Sequence, residues 1–342
     1  MIIVPASSSL GLAAKVAKEM GATLADVERK RFPDGEMYVR ILTDTKGAEV
    51  AVIGNTRSDA DFVELLFLLN AAREAGASHV TAVLPYFGYS RQHMVYKPGE
   101  PVSSKVMTRA IENFSDRIIC VEMHDEETIG FASHPLDNLS VIETSSEYFR
   151  NMKIDLILSP DVVRENKYKS CYLRPFAFFN DDSISLQTKG KKVSVAVVGV
   201  PYNNYFGDTS NKGVTCKVAG WRRRAKKMAE ILSIPAYYIN KKRIDAKTVE
   251  MHLPEIDFSG KSILIVDDII STGGTIIKAV KLLKDNGASR ISVSAVHGVF
   301  AKDSDKIIEP LVDLLAVSDT IDGDHSLISV AGDISRALAG DE

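Results

Sequence analysis

The chain has 342 residues, 45% of them hydrophobic and 25% charged, with 42 basic against 45 acidic side chains and a formal net charge of −3. That balance describes a globular chain of about two domains with enough apolar material for a sizeable core, and it offers no basic footprint for nucleic acid or an anionic membrane surface. Cys120, Cys171 and Cys216 are odd in number and unpaired in spacing, which argues against a disulfide framework or a zinc site and fits a reducing cytoplasm; no basic leader opens the chain, and no apolar run approaches the roughly 18 residues that span a membrane.

Met1 to Pro5 reads as a strand, and Ser7-Ser8-Ser9 is placed to cap a helix running to Met20. Arg31-Phe32-Pro33-Asp34-Gly35-Glu36 follows, a Pro-Asp-Gly turn between two extended pieces with an aromatic ring and two acids at its tip. From Val50 a strand, a helix containing Phe62 to Ala75 and a strand from Val80 to Leu84 succeed one another. The next loop, Pro85-Tyr86-Phe87-Gly88-Tyr89-Ser90-Arg91-Gln92-His93, is dense in aromatics. Core packing accounts for its rings but not for Arg91-Gln92, since a flat guanidinium among rings suits stacking on a base or gripping a phosphate. A buried strand, Ile118 to Val121, then delivers Glu122-Met123-His124-Asp125-Glu126-Glu127, where a histidine amid carboxylates suits either a structural role or a metal or phosphate site.

Ile154 to Leu158 forms another strand, ending in Ser159-Pro160-Asp161. Residues 162–218 lack a long clean period apart from a strand expected at Val193 to Val200, and they read as an added subdomain or lobe. Trp221-Arg222-Arg223-Arg224 opens a helix to Leu232, and a strand from Ala236 to Ile239 ends in Asn240-Lys241-Lys242-Arg243, either a mobile cationic loop or a solvated charge run.

The most informative stretch comes next. Ser262 to Val266 has the β-branched composition of a fully buried parallel strand, Asp267 and Asp268 stand at its end, and Ser271-Thr272-Gly273-Gly274-Thr275 leads into a helix whose apolar face is Ile276, Ile277, Val280, Leu282 and Leu283. The hydroxyls can cap that helix, and its free N–H groups and dipole suit a phosphate monoester. Two adjacent carboxylates repel each other and gain nothing from packing, so they point to sugar hydroxyls or a bridging Mg²⁺. Gly260-Lys261-Ser262 resembles the tail of a Walker loop, but Glu255 stands where its first glycine belongs and the run enters a strand. An internal repeat is also visible: Val52-Ile53 lies over Ile263-Leu264 and Gly76-Ala77-Ser78 over Gly287-Ala288-Ser289, with Asn55-Thr56-Arg57 where the second copy has its acids and glycines.

Taken together, RFPDGE at 31–36, PYFGYSRQ at 85–92, His124 of EMHDEE, SPD at 159–161, NKKR at 240–243 and VDDIISTGGT at 266–275 make the chain resemble the ribose-phosphate pyrophosphokinases, of the phosphoribosyltransferase-like fold. The resemblance implies an α/β protein of two similar domains, each a mainly parallel sheet flanked by helices: residues 1–143 on the ATP side, 144–298 on the ribose 5-phosphate side with an insertion at 162–218, and a segment 299–342 packing back on the first domain. It implies a reaction in which the 1-hydroxyl of ribose 5-phosphate attacks the β-phosphorus of Mg-ATP and AMP leaves. Ser271, Thr272, Gly273, Gly274 and Thr275 would cradle the 5-phosphate and Asp267 and Asp268 the ribose hydroxyls. His124 and Asp161 would hold Mg²⁺, Arg91, Gln92 and His93 would contact ATP, and Lys241 and Arg243 would close over the diphosphoryl group. Phe32, Asp34 and Glu36 would complete the ATP site from a neighbouring subunit, making a homo-oligomer, at least a dimer, the active unit. Partners are then ATP, ribose 5-phosphate and copies of the chain, with no nucleic acid and no membrane. Two departures stand out: the insertion after Asp161, and Lys242 where many members carry Arg. The insertion leaves open a non-catalytic regulatory homologue; the last motif alone would also suit a phosphoribosyltransferase that consumes the sugar diphosphate.

Overall fold

The computed structural model describes residues 1–160, 177–180, 183–188, 191–196, 220–243 and 249–340. In the first half β1 (Ile2–Pro5), α1 (Leu10–Met20) and the short β2 (Thr23–Leu24) lead to a hairpin of β3 (Val27–Arg31) and β4 (Met37–Ile41). There follow β5 (Glu49–Ile53), α2 (Asp59–Glu74), β6 (His79–Leu84), α3 (Ser103–Glu112), β7 (Arg117–Val121), β8 (Leu136–Leu139) and α4 (Ile142–Phe149). The second half opens with β9 (Leu156–Ser159). Within the segment 162–218 lie three antiparallel strands, β10 (Ala177–Asn180), β11 (Ser183–Thr188) and β12 (Lys191–Ala196). Next come α5 (Gly220–Leu232), β13 (Ala236–Tyr238), a hairpin of β14 (Asn240–Arg243) and β15 (Val249–His252), β16 (Ser262–Ile270), α6 (Gly274–Asp285) and β17 (Arg290–Gly298). The chain closes with α7 (Ser304–Ile308), β18 (Leu314–Ser318), β19 (Ser326–Ile328) and α8 (Ala331–Ala339). Among the described residues no helix is long and apolar enough to cross a membrane.

Two parallel six-stranded sheets result, ordered β2-β1-β5-β6-β7-β8 and β13-β9-β16-β17-β18-β19, so each strand of one has a counterpart in the other. The repeat seen around β5 and β16 thus extends across both halves, including the two hairpins, each inserted after the edge strand and before the central one. The alignment needs one adjustment. Glu49 stands opposite His79 as Ser262 stands opposite Arg290, so β5 lies over β16 two residues further along than the matched dipeptides place it. A two-residue shift keeps every side chain on its original face, which is why the hydrophobic pattern tolerated it.

The apolar strands are buried on both faces. On one face of the first sheet Val4, Val52, Ala82 and Ile118 meet α2 and α3; on the other, Ile3, Ile53, Val83 and Ile119 meet α1. The second layer on that face comes from the far end of the chain: Ala331, Ile334 and Leu338 of α8 pack among Ile3, Leu12, Ala13 and Val16. In return Ile142 and Phe149 of α4, which follows the first sheet, pack with Ala225, Met228, Leu264 and Val266 on the second. Each half therefore closes its partner's sheet. Thr144 donates to Asp333 at 2.8 Å and ties the two exchanged helices together.

Three local expectations are corrected. The serines do not cap α1: Ser7–Ser9 forms a short 3-10 turn, the Ser7 hydroxyl bonds to Glu64, and Ser8 Oγ accepts from the Asn55 N–H, tertiary partners that outcompete a local cap. The strand that carries the acids does not stop at Val266 but stays paired with β17 as far as Ile270, opposite Gly298. Asn240–Arg243 is strand β14, paired with β15, and not a loop; residues 244–248 lie outside the described residues.

Because Ile334 is fully buried in the core of the other half, Ile334→Ala should lower global stability by about 2–5 kcal/mol and weaken amide protection in β1 and β5 before β16; hydrogen exchange in which only the second sheet loosens would contradict the exchange.

Candidate active site

The two sheets meet through the carboxyl ends of their central strands, where open α/β folds bind ligands. Arg57, after β5, donates to Val299 O at 3.2 Å, just past β17. The Tyr86 ring, after β6, lies 5.0 Å from that of His297 on β17. His124, after β7, places Nδ1 2.7 Å from Asp268 Oδ2 on β16. Arg57 of Asn55-Thr56-Arg57 thus reaches across to the other half, and Thr56 accepts the loop that follows β6: Gly88 lies so close that a Cβ there would stand 2.1 Å from Thr56 O.

Behind Asp268 sits a buried charge cluster. Arg224, on α5, bonds to Glu122, the first residue after β7, and Glu122 Oε1 also accepts from Ser140 Oγ at 3.0 Å and Val141 N at 3.1 Å. Glu122 adopts φ 42, in the left-handed region, a strained backbone for a residue with a side chain. Burial works against the charge of Glu122, but the Arg224 guanidinium and these hydrogen bonds outweigh it and hold the carboxyl below its ordinary range. The same contest is won at Asp268, where burial is overcome by His124 and then by Arg224. At His297 burial prevails, although the Glu122 carbonyl and Asp268 both favour the charged ring. Burial pushes it down to about 4, and the neutral ring bridges Thr320 Oγ1 at 2.9 Å and Glu122 O at 3.2 Å.

The two aspartates differ. Asp268 is buried, with Oδ1 accepting from Ile269 N at 2.8 Å and Oδ2 against His124. Asp267 is half-buried and accepts from Asp268 N at 2.9 Å. Beyond them, α6 starts after Gly273 with no side-chain cap, contrary to the capping role expected of the hydroxyls. Gly273 takes φ 71, and a Cβ would lie 2.8 Å from Ile308 Cδ1, so the position requires glycine. Ser304 Oγ holds Ser271 O at 2.6 Å, while Thr272 and Gly274 are exposed.

On the first half, Arg91 is exposed; burial pushes the Tyr86 phenol up, Arg91 and Arg57 oppose that rise and Asp268 adds to it. Gln92 accepts from Ser103 Oγ at 2.7 Å through its side-chain oxygen. His93 is buried, with only 4% of its side chain exposed, and Nε2 faces Asp125 Oδ2 at 3.3 Å. Phe32, 45% exposed, sits at the tip of the β3–β4 hairpin edge-on to Tyr38 at 6.0 Å, and Asp34 shapes the turn by accepting from Glu36 N at 3.1 Å. Asp161 lies outside the described residues, and of Lys241 and Arg243 only the backbone, paired to Met251 and Val249, is described.

Sequence reasoning missed Glu122, Arg224 and His297. A usable signal existed for one of them: Arg224 stands one helical turn before buried Met228 and beside buried Ala225, on the apolar side of α5, whereas a solvated charge run would face outward.

The family model for the N-terminal domain of ribose phosphate pyrophosphokinase matches residues 1–114, and that for the phosphoribosyl transferase domain matches residues 215–313. The chain is 36% identical over 340 residues to the ribose-phosphate pyrophosphokinase of Thermoplasma acidophilum, covering 99% of each. It belongs to the ribose-phosphate pyrophosphokinase family. The corresponding protein of Thermococcus kodakarensis is 35% identical over 322 residues, 93% of this chain and 94% of that one. The solved phosphoribosylpyrophosphate synthetase of Mycobacterium smegmatis shares the fold at TM-score 0.72 and 21% identity, covering 99% of this chain and 97% of that one. Most of the segment read as an insertion falls between the two matched family regions.

Between its ordinary 6.5 and about 4, His297 takes up a proton in the unfolded chain but not in the folded one, so stability is full above this window and falls as pH drops through it. The pH dependence of the denaturation midpoint should be shallower in His297→Gln over that window; parallel curves would remove His297 as the source. Arg224→Met, which leaves Glu122 buried and unpaired, should destabilise by about 3–5 kcal/mol, and Arg224→Met with Glu122→Leu should recover much of that loss in the same unfolding measurement.

Proposed function

We propose that the chain is a ribose-phosphate diphosphokinase, transferring the β,γ-diphosphoryl group of ATP to the 1-hydroxyl of ribose 5-phosphate with release of AMP. The observation that supports this most is the 2.7 Å contact between His124 and Asp268, which brings the ATP-side strand ends and the ribose-side loop to one cleft. In this reading the uncapped start of α6, with Ser271 to Thr275, receives the 5-phosphate on its N–H groups and positive dipole. Asp267, the more exposed of the pair, accepts the ribose hydroxyls. Asp268, held from both sides by His124 and the Arg224 field, fixes its position. The loop alone does not separate making the sugar diphosphate from spending it; membership of this family, with RFPDGE, PYFGYSRQ and NKKR beside the loop, favours making it.

The donor set suits Mg²⁺. Asp161 would supply carboxylate oxygen, and a histidine whose Nδ1 engages a carboxylate is oriented as metal-bound histidines are, its other nitrogen directed for coordination. His124, with Asp161, would hold the ion, which would offset the charge of the phosphates. The chain's own residues then orient the reactants. Arg91 and Gln92 hold the nucleotide, with the adenine between Arg91 and Phe32 of a neighbouring copy, whose Asp34 and Glu36 complete that side. A homo-oligomer in the cytoplasm is the working form. Lys241 and Arg243, on the hairpin equivalent to the one that carries Phe32, reach the diphosphoryl group and stabilise charge in the transition state, where one such contact is worth roughly 3 kcal/mol.

AMP should appear from ATP only when both ribose 5-phosphate and Mg²⁺ are present; a well-folded preparation that forms none would overturn the assignment. Lys241→Ala should lower turnover about 100-fold or more with an unchanged melting temperature, and Asp267→Asn should raise the KM for ribose 5-phosphate without altering that for ATP. An unchanged rate in the first variant removes β14 from the chemistry.

A further inference from the structure

We infer a second cation site, distinct from the Asp268 junction, built by His93, Asp125 and Glu127 and suited to a transition-metal dication such as Zn²⁺ or Mn²⁺. His93 is the observation that calls for a ligand. Its side chain is 4% exposed, and neither Nδ1 nor Nε2 has a hydrogen-bond partner, an unfavourable condition for a buried imidazole. Nε2 faces Asp125 Oδ2 at 3.3 Å and Glu127 Oε2 at 3.8 Å, close enough for attraction but without hydrogen-bond geometry. The three donor atoms all lie within 4.8 Å of one another. Ligands about 2.1 Å from a cation stand roughly 3.0–3.4 Å apart along an octahedral or tetrahedral edge, so a small inward adjustment closes the set around one ion.

The local chain explains how the set is built. Asp125 Oδ1 accepts from Glu127 N at 3.0 Å, fixing a turn in which the carboxylates two residues apart face the same side and Oδ2 is turned toward His93. His93 arrives on the loop after β6, its ring edge-on to Tyr96 at 6.1 Å. One imidazole nitrogen with two carboxylates is a donor set that first-row transition ions bind well. Such an ion would pin the loop that carries Arg91 and Gln92 to the turn that carries His124, ordering the nucleotide side before any nucleotide arrives. It also accounts for a histidine that is too buried to touch ATP.

The test uses the intact protein with no substrate, so its result is independent of catalysis. Calorimetric titration with Zn²⁺ in excess Mg²⁺, which occupies the His124 site, should show one saturable site per chain, and Zn²⁺ should raise the melting temperature. Glu127→Gln, a change at a half-exposed position, should weaken binding at least tenfold and abolish the thermal shift, and His93→Gln should do the same, while His124→Gln and Asp267→Asn should leave both intact. Absence of saturable binding would overturn the site. So would binding that survives Glu127→Gln but is lost in His124→Gln, since the ion would then belong to the Asp268 junction.

Discussion

The structure depends on a run of polar groups that crosses between its halves: Glu122 from the end of β7, Asp268 from β16 and Arg224 from α5 are buried together, and His124, exposed after β7, closes the run at its outer edge. Taken singly, each would be costly to desolvate, and removing one partner would leave an uncompensated charge. Assembled, the two acids stay ionised because the Arg224 guanidinium and their hydrogen bonds, the one to His124 at Asp268 included, outweigh burial. Neither sheet can supply the set alone. The first contributes Glu122 and His124, the second Asp268 and Arg224. The halves are therefore held in the one relation in which their strand ends face each other. The exchanged helices α4 and α8 reinforce that relation from the outside, by apolar packing that is indifferent to charge.

Duplication followed by division of labour explains the rest of the cleft. Both halves place a hairpin after the edge strand, and each hairpin carries a motif: RFPDGE on β3–β4 and NKKR on β14. Both halves also place a loop after their central strand. In the second half this loop keeps a glycine-dependent turn into α6. In the first, Asn55, Thr56 and Arg57 are occupied with Ser8, Gly88 and Val299. The start of α2 is filled by its own capping box of Ser58 and Asp61, whereas that of α6 carries no side-chain cap, and Arg57 of the first loop is part of the joint.

Much of this was legible in the chain. Buried parallel strands announce themselves as short β-branched runs, and the glycines of VDDIISTGGT marked a real backbone constraint at Gly273. What stayed hidden shares one cause: the deciding partner is distant. Ser7 looks like a helix cap until Glu64, on α2, claims its hydroxyl. Lys241 looks like part of a charged loop until β15 pairs with it. Arg224 looks solvated until Glu122, far away in sequence, meets it. The carboxyl end of β16 was placed early because a pair of acids reads as the end of a strand, yet backbone pairing with β17 is blind to side-chain charge and carries the strand to Ile270.

That continued pairing decides what the aspartates can do. Residues in a regular strand point to alternate faces, so Asp267 and Asp268 could not both address one ligand from an undisturbed β16. The hydrogen bonds from Asp268 N to Asp267 Oδ1 and from Ile269 N to Asp268 Oδ1 show each carboxylate turned back along its own backbone. Asp268 is directed inward to His124 and the Arg224 field, while Asp267 stays half-exposed at the mouth of the cleft. A pair that reads in sequence as two equivalent ligands is in space one anchor and one contact. The anchor also touches the histidine of the other half, so any group bound by Asp267 is referenced to the first half through a single short hydrogen bond. Two substrates that must align for in-line transfer need such a common reference, because effective alignment comes from holding both to the same rigid frame.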